Sequence, residues 1–186
     1  MTRNDTIRPE FSVVVDLEEL PDGETAFDLA ADAAERAALA KRFGLISLDR
    51  FEAQLAVEWV ERDKVLALRG RISADVVQSC VVTLEPVPNT VSEAIDLLFA
   101  RDAATIDELV DPDEAEPLEG DSLDIGEIAA EELSLSLDPY PRAPHIDPSA
   151  LNLGPGASLK TEEEAAQDRT GKNSPFAVLE SLKSKL

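Results

Sequence analysis

The sequence predicts an α+β domain: a mainly antiparallel β-sheet with a packed helix, an acidic loop and a C-terminal tail helix. Three observations predict it. Segments between Phe51 and Phe99 alternate apolar and polar residues and are joined by short polar turns, as antiparallel strands with one buried face do. An Ala-rich stretch over residues 28–42 repeats apolar side chains at helical spacing. The chain has 186 residues, 44% of them apolar, enough to build one core without disulfide or metal staples.

Taken in order, residues 11–17 (FSVVVDL) alternate and are rich in valine, which reads as a strand. Pro21, Asp22 and Gly23 form a turn. In residues 28–42, Leu29, Ala33, Ala37 and Ala40 share a helical face, and Gly44 is a stop signal. Phe51, Ala53, Leu55, Val57 and Trp59 then lie on one face of a strand, with Glu52, Gln54 and Glu58 on the other. A polar connection over 61–64 leads into Leu66, Leu68, Gly70 and Ile72, so the two runs form a β-hairpin. Residues 76–84 read as another strand, ended by Pro86 and Pro88. Residues 91–99 alternate again, with Val91, Ile95, Leu97 and Phe99 on one face.

The composition shifts after Ala100. Residues 102–141 hold fourteen Asp and Glu and no Lys or Arg, and begin as an acidic loop broken by Pro112 and Pro117. Asp124 and Glu127 match a capping box, which predicts a short helix from Ile125. Leu133, Leu135 and Leu137 alternate on the way to Pro139 and Pro141. Polar, Pro- and Gly-broken sequence follows. Ser174 and Pro175 then open a final helix with Phe176, Leu179 and Leu182 on one side and Lys183 and Lys185 at its end. The expected organisation is one domain over 1–141, a flexible acidic linker over 142–172 and a C-terminal helix over 173–186.

Seventeen basic against 39 acidic side chains give a formal net charge of −22. Such a chain is repelled by nucleic-acid phosphates at long range and attracted to basic partners. The same charge is also explained by a need for solubility alone. The N-terminus carries Arg3, Asp5, Arg8 and Glu10 without an apolar run and does not read as a signal peptide. No stretch reaches the ~18 apolar residues of a transmembrane helix. With Cys80 the only cysteine, a reducing, cytoplasmic setting is expected and no membrane is involved.

Catalytic and metal chemistry lack the residues they need. His145 is the only histidine and lies in proline-flanked loop sequence, so a Ser–His–Asp or Cys–His site would have to be built on it. No Gly-rich phosphate loop is present. Paired carboxylates are so numerous that they read as charged surface. One cysteine and one histidine supply no soft-ligand set for tetrahedral zinc, a weak carboxylate site for a divalent cation in the acidic loop stays open although its spacing does not match an EF-hand, and no catalytic residue, metal or cofactor is predicted. Cys80 is expected as a structural strand residue beside the core. Arg36/Lys41/Arg42, Arg69/Arg71 and Lys183/Lys185 are the only basic clusters. Trp59 alternates inward and reads as core rather than as a base-stacking platform.

Three stretches together resemble the YceD family of large ribosomal RNA subunit accumulation proteins. They are SCVVTLEP at 79–86, GEIAAEELSLSLDPYP at 126–141 and NSPFAVLESLK at 173–183, the last being the most specific. Many family branches carry CxxC in the first stretch; here Cys80 is present and Thr83 stands at the second position. Further cysteines found in many relatives after the late prolines are missing. The resemblance implies a cytoplasmic bacterial factor needed for normal 23S rRNA levels.

Two functional expectations follow. The first is a non-catalytic ribosome-biogenesis factor. It would bind 23S rRNA or its precursor, or bind and shield a basic large-subunit ribosomal protein through the acidic segment 102–138. Phe176, Leu179, Leu182, Lys183 and Lys185 are its candidate partner-binding residues, on a helix that needs an apolar surface to stay formed. The second is a carboxylate- and metal-dependent hydrolase, for which the sequence offers no motif. The oligomeric state is not legible.

Overall fold

In the computed structural model, residues 9–61, 64–101 and 115–144 are described. Three strands of 15 residues each, β3 (Ser47–Glu61), β4 (Val65–Ser79) and β5 (Pro86–Ala100), form the centre of the molecule. They pair in sequence order as two long antiparallel hairpins. β2 (Thr25–Ala30) adds antiparallel to the outer side of β3, and the short β6 (Ala115–Pro117) adds parallel to the end of β5. The five-stranded order is β2-β3-β4-β5-β6. A separate two-stranded ribbon pairs β1 (Val14–Asp16) with β7 (Ser122–Asp124). Helix α1 (Ala33–Phe43) packs on β3, and α2 (Ile125–Ser136) packs on β4, β5 and β1.

The period-2 pattern decides which sheet face is buried. Phe51, Leu55 and Val57 of β3, Leu66, Leu68, Ile72 and Val76 of β4, and Val91, Ile95 and Phe99 of β5 all join one core. Leu39 and Ala40 of α1 and Ile125, Ala129, Ala130 and Leu133 of α2 cover it. Phe11 closes one end, its ring edge-on to Phe51 at 5.4 Å between centroids. Each fully buried Leu, Ile or Phe contributes roughly 1.5–3 kcal/mol through the apolar surface it removes from water. The opposite face carries Glu52, Gln54, Arg69, Arg71, Ala94 and Asp96, all exposed.

The α+β class and the mainly antiparallel sheet stand, but several boundaries move. The helix expected over 28–42 starts only at Ala33, because Thr25–Ala30 forms β2 along β3. The break comes from Asp32, whose carboxylate accepts from the N–H groups of Ala34 and Glu35 while the Glu35 carboxylate accepts from the Asp32 N–H. Such reciprocal capping starts a helix at the next residue. Residues 76–84 are not a further strand. β4 runs unbroken to Ser79, and a turn over 80–85 reverses the chain, with the Cys80 N–H donating to Glu85 O and the Leu84 N–H to Cys80 O. Pro86 and Pro88 begin β5 rather than end a strand, which is possible because β5 is largely an edge. The strand expected over 11–17 is confined to Val14–Asp16.

Helix α2 begins at Ile125, as the spacing predicts. Its capping box is only half formed: Asp124 caps the N–H groups of Gly126 and Glu127, but the Glu127 carboxylate goes to Arg42. Leu133 and Leu135 belong to this helix, the first buried and the second 79% exposed. The acidic loop expected from residue 102 up to 114, the flexible linker expected beyond Pro144 and the helix expected over 173–186 lie outside the described residues.

Candidate interaction surface

The arginines matter first, since a nucleic-acid surface needs them free for phosphate. On the described surface they are largely engaged by carboxylates of the same chain. Arg42 makes ion pairs to Glu127 at 2.7 Å and to Glu10 at 3.0 Å, which raise the guanidinium pKa against the opposing effect of burial. Arg50 pairs with Asp75 at 2.8 Å and Glu52 at 3.0 Å. Arg69 pairs with Asp96 at 3.0 Å across β4 and β5. Arg101 pairs with Asp121 at 2.6 Å and lies 5.2 Å from the centre of the Trp59 ring. Arg71 donates to Ser92 Oγ at 3.1 Å. Trp59 is half-buried against the core, and the Arg101 guanidinium stands over its ring.

The carboxylates are distributed differently. β5 brings Glu93 to the helix-covered side at its own edge, two residues from the buried Val91 and Ile95. β6 brings Glu116, aligned with Phe99. Helix α2, seated on β5 by Ala129, Ala130 and Leu133, brings Glu131 and Glu132. Partial burial, followed by the charges of Glu116, Glu131 and Glu93, raises the Glu132 pKa. Among the described residues none of these four is in an ion pair. Three of them fall in the acidic segment 102–138 that the sequence marks as a binding candidate. Glu93 was not marked, because only folding brings it beside α2. Its signal in the sequence is a charge placed in phase with Val91 and Ile95.

Cys80 is not a strand residue. It opens the turn after β4, is fully buried, and stands apart from the main core. Its Sγ accepts from the N–H groups of Val82 at 3.4 Å and Thr83 at 3.5 Å. Burial raises the thiol pKa, but hydrogen bonds from Thr83, Ala143 and Val82 outweigh it and bring the value to about 7. The Thr83 hydroxyl donates to Glu85 at 3.0 Å. Among the described residues no three His, Cys, Asp or Glu side chains gather as metal ligands. The turn is anchored by Val81 N–H donating to Pro141 O at 2.9 Å and by Gln78 donating to Asp138 O at 2.9 Å. A cleft of about 650 Å³ lies beside it, lined by Phe43, Leu45, Val81, Leu135, Leu137 and Pro141 among others.

The sequence-derived candidates Phe176, Leu179, Leu182, Lys183 and Lys185, and also His145, lie outside the described residues. Among the described residues no helix is long and apolar enough to cross a membrane.

No curated protein and no solved structure matches the chain. The model of one family, described as large ribosomal RNA subunit accumulation protein YceD, matches residues 68–183, from the first part of β4 onwards. That match spans more than half of the sequence, and the chain belongs to the YceD family.

Proposed function

We propose that this protein supports accumulation of the large-subunit rRNA in the cytoplasm by binding, without catalysis, and that its direct partner is a basic large-subunit ribosomal protein. The family description gives the role in large-subunit rRNA accumulation; the choice of partner rests on charge. One observation carries it: on the described surface four arginines are held by carboxylates, whereas Glu93, Glu116, Glu131 and Glu132 crowd together with no cation among them. A phosphate backbone finds these four arginines already engaged, and a Lys- and Arg-rich protein finds carboxylates ready to receive it. Shielding such a protein before it meets rRNA would limit aggregation and mispairing during assembly.

The C-terminal segment completes this reading. Its Ser-Pro start and its stripe of Phe176, Leu179 and Leu182 suit a tethered helix that seats in an apolar groove of the partner, with Lys183 and Lys185 at the rim.

The test is affinity purification of the full chain from cells at low and high salt, with and without ribonuclease. Recovery of large-subunit proteins at low salt that survives ribonuclease supports the reading. Recovery of precursor 23S rRNA with proteins lost on ribonuclease treatment replaces it with direct RNA binding. Recovery of neither removes it.

A further inference from the structure

We propose that the edge of β5, uncovered among the described residues from Val91 to Leu97, takes up an extended, Lys- or Arg-rich segment of a partner as an added strand, flanked by the Glu93, Glu116, Glu131 and Glu132 carboxylates. This rests on the reading above and names how the basic partner is held.

The first ground is the edge itself. β5 pairs with β4 along its whole length, Pro86 to Ala100. On its other side the only strand among the described residues is β6, which meets just Leu98–Ala100. Among the described residues nothing pairs with this side of Val91 to Leu97, and such an uncovered row of strand backbone groups is a ready template for another chain. Pro86 and Pro88 lack N–H donors and close the far end of it. The open window is long enough for a partner strand of five or six residues.

The second ground is what flanks the edge. Side chains of an added strand alternate between the two sheet faces. On the helix side they would stand next to Glu93, with Glu116 on β6 and Glu131 and Glu132 on α2 close by. On the other side they would meet Ala94 and the Arg69–Asp96 pair, which offers no net charge. The recognised pattern is thus a cation at every second position with small neutral residues between. A second copy of this same edge would bring its own Glu93 cluster against the first, so self-pairing is opposed by like charge. A basic strand instead relieves the crowding that the four carboxylates impose on one another.

The test uses the full chain and three fluorescent ten-residue peptides. One alternates lysine and threonine. The second has the same sequence, N-methylated at every second residue, so its charge is kept but its strand pairing is blocked. The third alternates glutamate and threonine. The lysine peptide is expected to bind at least tenfold more tightly than either of the others, to weaken as salt is raised, and to slow amide exchange in residues 91–97. The triple variant Glu93→Gln/Glu116→Gln/Glu132→Gln is expected to lose tenfold or more in affinity. Equal binding of the N-methylated peptide, unchanged affinity of the triple variant, or protection confined to another surface would each overturn the proposal. If a ribosomal protein co-purifies while residues 91–97 stay unprotected, the binding function stands and this mode of binding falls.

Discussion

Gly70 lies at the centre of β4, opposite Leu55 on one neighbour and Ile95 on the other. Its φ of +154° lies in a region that side chains rarely adopt, and an added Cβ would run into Gln54 O and come within 2.9 Å of Leu55 Cα. Both obstacles are backbone of β3, which is held by pairing on both sides and cannot rotate away. Gly70→Ala therefore combines backbone strain of ~1–3 kcal/mol with overpacking of ~1–3 kcal/mol. A central value near ~4 kcal/mol, at about 2–4 °C per kcal/mol for a chain of this size, lowers Tm by roughly 8–16 °C. The comparison is Gly44→Ala. Gly44 ends α1 at φ +67° with nothing within 4 Å of the position a Cβ would take, so only the left-handed backbone penalty of ~1–2 kcal/mol applies. Thermal unfolding by circular dichroism and urea titration should order the proteins as wild type, Gly44→Ala, Gly70→Ala, from most to least stable. A Gly70→Ala melting point within 2 °C of wild type, or a reversed order, would refute the close approach of β4 to β3 and the register built on it.

Other outcomes follow from single contacts. Asp124 accepts hydrogen bonds from the Val13, Gly126 and Glu127 N–H groups and from the Ser12 hydroxyl, so Asp124→Ala removes a helix cap and orphans Val13. It should cost about 2–4 kcal/mol in urea unfolding, and a cost under ~0.5 kcal/mol would contradict these bonds. Glu132 has a raised folded pKa from burial and then from Glu116, Glu131 and Glu93. The fold therefore holds that proton more tightly than the unfolded chain does, and stability falls as pH rises through the window between the two values. Glu132→Gln should raise Tm at pH 7, with the gain vanishing below about pH 4 where the glutamate is itself protonated; a gain that persists there would show that charge is not its cause. Phe176→Ala with Leu179→Ala should leave Tm nearly unchanged while impairing 23S rRNA levels in a complementation assay. A large fall in Tm would assign that stripe to the core instead.

The long hairpins were legible because one buried face imposes strict alternation, as in Phe51, Ala53, Leu55 and Val57. β2 was not, since Ala26 and Ala30 blur the contrast and Leu29 continues in helical phase into α1. The Asp32 and Glu35 pair carried the correct start and outweighs that phase. Prolines misled at β5: Pro86 and Pro88 are breakers inside a sheet but are tolerated along an edge, and edge position is a property of topology. The acidic surface was half legible. Glu116, Glu131 and Glu132 fall in a stretch marked by composition, while Glu93 joins them only through the packing of α2 on β5. Glu127, spaced for a capping box, turns instead to Arg42 in the last turn of α1, a partner that only folding brings near.

The central claim is that the β5–α2 acidic surface acts in large-subunit rRNA accumulation. Its most direct test is the ratio of 23S to 16S rRNA in cells lacking the native gene and expressing either the wild-type chain or Glu93→Gln/Glu116→Gln/Glu131→Gln/Glu132→Gln. Removing mutually repelling charges should leave the variant at least as stable as wild type, which thermal unfolding and cellular protein level both check. The account predicts that this stable variant leaves the ratio at the level of the empty strain. Full restoration of 23S rRNA by the variant would contradict it.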